Sequence, residues 1–228
     1  MNTSGRRFKD AIYEQFARIG KAIAAPKRLE LLDLLSQGPR TVEALAAEAG
    51  ASVANTSQHL QVLRAARLVL PEKQGVRVEY RLASDEVSRF FVTMRALAES
   101  RLAEVELVTR QFFEQRGLME AVEVDELLRR VRSGEVTVLD VRPVAEYLAG
   151  HVPGAISIPL SELQSRLTQL PKGREIIAYC RGPYCVMALE AVDLLRVNGF
   201  KAHRITQGVV EWRARGWPIE SDHEEARG

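Results

Sequence analysis

The chain changes its hydrophobic period once, close to Gly117, and that switch bounds what it can fold into. Before it, apolar residues recur at helical spacing. Phe8, Ile12, Phe16, Ile19 and Ile23 mark a first helix, and Pro26 opens PKRLELLDLLS, which Gly38-Pro39 closes. TVEALAAEAG follows, with Thr41 as its cap and Gly50 as its stop; SVANTSQHLQVLRAARL makes a third short helix. VLPEKQGVRVEYRLA reads as two extended runs flanking Glu72–Gly75, a hairpin. Ser84 to Arg116 carries Val87, Phe90, Phe91, Met94, Leu97, Leu102, Val105 and Leu107 and is expected to form one long amphipathic helix.

After Gly117 short strands alternate with helices. VTVLDVR (136–142), EIIAYC (175–180) and KAHRIT are strand candidates; VDELLRRVRSG, LSELQSRLTQL and VMALEAVDLLRVNG are helix candidates. Such alternation argues for a small α/β domain with a parallel sheet. Two domains are therefore expected, over 1–117 and 118–228. Charge divides the same way: residues 1–118 hold 18 Lys and Arg against 14 Asp and Glu, and residues 119–228 hold 14 against 16. A basic half beside an acidic one fits a nucleic-acid module joined to something else. No run approaches ~20 apolar residues, so no membrane span is expected. MNTSGRRFKDAIYEQF lacks the apolar core of a secretory signal, which points to a cytoplasmic protein.

Three short helices, a hairpin and a closing helix give the order of a mainly-α winged helix-turn-helix domain, with the corner at Gly50-Ala51-Ser52. The third helix offers Asn55, Thr56, Ser57, Gln58, His59 and Gln61, side chains suited to base edges and phosphates, and its Leu60 and Leu63, with Leu68 just beyond it, face the core. Lys73 and Arg77 on the wing are placed to neutralise phosphates. A generic helical bundle with a wet polar face is the alternative. The stretch RLELLDLL…TVEALAAEAGASVANTSQHLQVLRAARLV…GVRVEYRLA resembles the ArsR/SmtB family of bacterial repressors. That resemblance implies a homodimer through the first and last helices, about 8–24 and 84–116, binding double-stranded operator DNA. Unlike many members, this chain has no cysteine before Cys180, and His59 is the first half's only histidine, so no soft-metal site of four N/S ligands is expected there. No cofactor is expected either.

Cys180 and Cys185, the only cysteines, share the loop CRGPYC between a strand and a helix. In a cytosolic chain such a pair is more often catalytic, redox-active or metal-binding than a structural bridge. At that junction, loop amides and the helix dipole would favour a thiolate or persulfide on Cys180, with Arg181 adding positive charge, while Gly182 and Tyr184 complete the loop. The alternatives are an inert buried cysteine ending a strand and, for Cys185, a packing role. VLDVRPVAEYLAGHVPGAISIP, IIAYCRG and ITQGVVEWRARGWPIE resemble a rhodanese domain over roughly 120–220. The resemblance implies that Cys180 takes sulfane sulfur and passes it on, that Asp140, Arg142 and His151 are framework residues, and that Trp212 packs. Related phosphatases place an arginine six residues after the cysteine; here that residue is Val186, so phosphatase activity is not expected. Cys185 standing where many sulfurtransferases have a basic residue argues against efficient thiosulfate use and for attack of Cys185 on a Cys180 persulfide. Together these features point to a transcriptional repressor controlled by small reactive sulfur species, with a sulfurtransferase enzyme, or a sensor of arsenite or another soft ion, as alternatives.

Overall fold

The computed structural model describes residues 3–75, 77–114, 126, 129–131 and 133–221. Packing divides the chain into two compact units, Met1–Phe91 and Val92–Gly228. By packing, then, residues 92–114 of the long helical segment group with the α/β unit, well ahead of Gly117.

The first unit runs α1 (Thr3–Ile23), α2 (Pro26–Ser36), β1 (Arg40–Thr41), α3 (Val42–Glu48), α4 (Val53–Ala65), β2 (Val69–Gln74) and β3 (Arg77–Leu82), and continues into α5 (Asp85–Arg101). Thr41 caps α3 by accepting the Ala44 N–H at 3.3 Å. Gly50 turns the corner at φ 58°, a conformation that favours glycine. Ser52 then caps α4 by accepting the Asn55 N–H at 3.2 Å. Leu31, Leu32, Leu35, Leu45, Leu60 and Leu63 are buried, as helical periodicity requires. The hairpin is tighter than expected. Strand pairing persists to Gln74↔Arg77, so Glu72 and Lys73 lie in β2, and Gly75, at φ 61°, takes a left-handed turn conformation. The antiparallel sheet has the order β1-β3-β2; the two-residue β1 is too short to leave a periodic signal.

The expected single closing helix is two. α5 ends at Arg101 and α6 spans Ala103–Glu114. Neither Gly nor Pro marks the break at Leu102, so periodicity runs straight through it.

The second unit contains β4 (Val136–Asp140), α7 (Val144–Ala149), β5 (Ile156–Ser157), α8 (Leu160–Arg166) with a 3₁₀ turn at Leu167–Gln169, β6 (Glu175–Tyr179), α9 (Met187–Val197), β7 (Ala202–Arg204) and α10 (Val209–Ala214). Its sheet is parallel throughout, in the order β5-β4-β6-β7. The helix expected over VDELLRRVRSG lies partly outside the described residues; Glu126 and residues 129–131 are helical. Every residue of β4 and of β6 is buried, as expected of a parallel sheet covered on both faces. Strand alternation assigns the faces. Ile176, Ala178 and Cys180 join one core with Leu189, Val192 and Phe113, whereas Ile177 and Tyr179 join the other with Val209 and Trp212. The register of β6 therefore decides which way the Cys180 thiol points.

Candidate functional sites

On α4 the exposed face carries Asn55, Gln58 and Gln61; Ser57 and His59 are half-buried. Thr56 departs from expectation. It is 1% exposed, since it shares the i, i+4, i+7 stripe with Leu60 and Leu63, and it cannot reach a groove. Gln61 lies with its amide nitrogen 3.5 Å from the Tyr80 hydroxyl. Lys73 and Arg77 are exposed on the two wing strands. These side chains form a polar surface with cationic flanks, and none of the exposed ones helps to close the core.

The loop at 180–186 is built differently. Cys180 is 2% exposed, directly after β6, and its thiol lies 3.5 Å from the Cys185 carbonyl oxygen, to which it donates. Cys185 is half-buried at the lip. Both cysteines are free. Backbone amides of Ala188 and Gly182 face the Cys180 sulfur, and those of Arg181 and Met187 face the Cys185 sulfur. Met187 and Ala188 open α9, whose first-turn N–H groups have no partner within the helix. The loop is thus an amide nest for two sulfurs.

The fold pushes the two sulfurs in opposite directions. Burial pushes the Cys180 thiol well up, and the neighbouring Cys185 side chain adds to that, outweighing its two amides. Cys185 falls to about 7, first through the neighbouring Cys180 side chain, then through the amides of Arg181 and Met187. Burial thus opposes the thiolate expected on Cys180, while the loop favours one on Cys185.

Arg181 is also used otherwise than expected. Its guanidinium forks onto Glu146, with Nε 3.1 Å from both carboxylate oxygens and Nη2 2.6 Å from one. It anchors the loop more than it charges it. Beneath it lies a fully buried ion pair. Arg142 donates to Asp140 through Nε at 3.0 Å and Nη2 at 2.6 Å, and Tyr179 donates to the same carboxylate at 2.6 Å. His151 stacks on Tyr147 with centroids 3.7 Å apart, a framework contact, and Trp212 is wholly buried.

Several residues that shape the loop carried no obvious sequence signal. Gly208 is one: a Cβ there would lie 2.4 Å from the Arg181 carbonyl and 2.7 Å from that of Cys180. The glycine before α10 was visible, but not the backbone pressed against it. Glu211 accepts the Gly208 N–H at 2.6 Å and pairs with Arg95 of α5. Tyr184 is exposed and donates to Glu99 of α5 at 2.7 Å; burial and that carboxylate push its hydroxyl upward. Among the described residues no group of three or more His, Cys, Asp and Glu side chains converges as a metal site.

A winged helix-turn-helix domain followed by an α/β domain with a cysteine loop after its third strand defines a DNA-binding regulator joined to a rhodanese-like domain. Residues 25–70 match the arsR family of bacterial regulatory proteins, and residues 123–215 match the rhodanese-like domain. The HTH-type transcriptional regulator Rv0324 of Mycobacterium tuberculosis is 44% identical over 212 residues, 93% of each chain. A sulfurtransferase of Allochromatium vinosum is 26% identical over 104 residues, covering 45% of this chain and 95% of its own. The solved winged helix-turn-helix fragment of Mb0332 from Mycobacterium bovis, described as homodimeric, is 41% identical. It covers 41% of this chain and 87% of its own, with a TM-score of 0.40. The chain belongs to the arsR family of transcriptional regulators, in the form that carries a C-terminal rhodanese-like domain.

Proposed function

We propose that this regulator is a dimeric repressor whose rhodanese-like domain takes up sulfane sulfur on the Cys180–Cys185 loop, and that uptake changes its affinity for operator DNA. The observation that carries the reading is the placement of the chain's only two thiols in one loop, with Cys180 donating to the Cys185 carbonyl oxygen at 3.5 Å and backbone amides facing both sulfurs. The Cys185 thiolate attacks the outer sulfur of a persulfide R–S–SH. The donor's S–S bond breaks, R–S⁻ leaves, and Cys185 becomes a persulfide. The Cys180 thiol then attacks the inner sulfur of that persulfide, forming a Cys180–Cys185 disulfide and releasing H₂S, whose two protons come from the thiol and the persulfide.

Two further features support the reading. Phe8, Ile12 and Phe16 form an exposed apolar stripe at four-residue spacing along α1, the kind of surface a homodimer covers. Tyr184 ties the loop to Glu99 of α5, so a loop that closes on a disulfide pulls on α5. A coupling of about 1–3 kcal/mol would alter operator affinity some 5–150-fold.

The test is a titration of a duplex that the protein itself selects from a random library, with reduced and polysulfide-treated protein. Wild type is expected to lose affinity on treatment, and Cys180→Ser and Cys185→Ser are expected not to respond. Equal affinity in every condition would sink thiol control. A second reading, a turning-over sulfurtransferase, draws on the match to the Allochromatium vinosum enzyme. Sustained thiocyanate production from thiosulfate and cyanide, with DNA affinity unchanged, would favour it.

A further inference from the structure

A groove of about 420 Å³ opens beside the cysteine loop, within the second unit. Pro183 and Tyr184 bound it on the loop side, Val105, Thr109 and Phe113 on the α6 side, and Arg204 closes its base. The volume is of the order that holds a small organic molecule rather than a bare inorganic ion.

Arg204 is the unusual wall. Parallel pairing sets Arg204 level with Ala178, and Ala202 and Arg204 alternate onto the face that carries Ala178 and Cys180. The side chain thus lies in the core face of β7, 7% exposed, with its guanidinium carbon 4.4 Å from the centre of the Phe113 ring. Among the described residues it makes no hydrogen bond or ion pair, and its buried Nε has no partner. The other charged walls are already matched: Glu99 takes the Tyr184 hydroxyl, and Glu106 pairs with Arg110. A buried guanidinium without an anion is costly, and it is worth keeping where an anion comes and goes. Burial holds the Arg204 pKa below its ordinary value, and the nearby Cys180 works against that shift.

We propose that this groove binds the sulfur donor itself, a low-molecular-weight organic persulfide bearing negative charge, with Arg204 as its counter-charge and the apolar walls of Val105, Phe113 and Pro183 holding its organic part. The inference rests on the sulfur-uptake reading. It adds that donor choice is set by a groove half of which is α6, a segment outside the rhodanese-like match at 123–215. Sulfur transfer is the step given above: the donor's S–S bond breaks, Cys185 gains the outer sulfur, and the departing R–S⁻ leaves an anion beside Arg204.

The test uses the full chain and two kinds of readout. The first is the rate of Cys185 alkylation by iodoacetate, an anion, relative to iodoacetamide, which is neutral, followed by peptide mass spectrometry. The iodoacetate-to-iodoacetamide ratio is expected to fall about tenfold in Arg204→Met and to be largely kept in Arg204→Lys. The second is the rate of sulfur uptake from glutathione persulfide. Thr109→Trp, which fills the groove from half-exposed α6, is expected to slow it at least about tenfold while sparing reaction with the smaller iodoacetamide. An unchanged ratio in Arg204→Met, or unchanged uptake in Thr109→Trp, overturns the proposal. Should Arg204→Met not fold, the lysine and tryptophan variants decide. If wild type takes no sulfur from any donor, the sulfur-uptake reading fails, while the alkylation ratio still reports on the anion site.

Discussion

The face of α4 and the loop after β6 hold their functional side chains by opposite means. On α4, Asn55, Gln58 and Gln61 stand in solvent because Thr56, Leu60 and Leu63 are buried behind them, and among the described residues only Gln61 of the three reaches a neighbouring side chain, Tyr80. In the loop almost every group is claimed. Arg181 belongs to Glu146, Gly208 is pressed against the loop backbone, and Cys180 is sealed beneath Cys185. A surface site tolerates substitution and loses only its ligand. A buried site couples ligand, reactivity and fold.

The sharpest break in that comparison lies at the bottom of the loop. Asp140→Ala leaves Arg142 buried at 0% exposure without its carboxylate, and about 3–5 kcal/mol of stability should go with it, read as a drop in the thermal midpoint of the second unit. A shift of less than about 1 kcal/mol would mean the pair is not what holds the loop. Next comes Gly208→Ala. The added Cβ meets backbone rather than a flexible side chain, so about 1–3 kcal/mol of overpacking is expected, together with slower Cys185 alkylation. Unaltered reactivity would separate the loop from α10.

The acid–base asymmetry of the two thiols gives a pH test. Cys185, depressed to about 7, should be alkylated with a rate that rises through pH 7, and Cys180, raised, should lag it throughout. In Cys180→Ala the donating thiol is gone, and the rise at Cys185 should move to higher pH. Linkage has the same sign: a depressed thiol stabilises the fold above its unfolded value, near 8.5, and that contribution fades as pH falls through about 7. Faster alkylation at Cys180 than at Cys185 would reverse the assignment.

The smallest effects belong to the surface site. Lys73→Ala should leave the thermal midpoint within about 0.5 kcal/mol of wild type and lower the slope of log affinity against log salt by about 0.9. Asn55→Ala should likewise spare the fold. A large loss of stability in either would erase the contrast between the two sites.

Much of the first unit was legible in the sequence, because local chemistry decides it. The caps at Thr41 and Ser52 and the left-handed Gly50 act within a few residues, and helical period alone sorts Leu60 and Leu63 from Gln58 and Gln61. The same period, applied to Thr56, would have placed it inside; a polar side chain was read as outward instead. The break at Leu102 has no local cause, and the packing of Phe113 in the second unit's core lies beyond the reach of periodicity.

The sequence by itself determined the strand–helix alternation, the two thiols in one loop and the absence of a phosphatase arginine at 186, for these depend on residue type and spacing. The tertiary structure alone set opposite pulls on the two sulfurs. That depends on burial depth and on amides supplied by the start of α9, and desolvation is a property of everything packed around an atom rather than of its neighbours in the chain. It likewise decided that Arg181 is bound to Glu146 while Arg204, on the next strand, is left facing a groove without an anion.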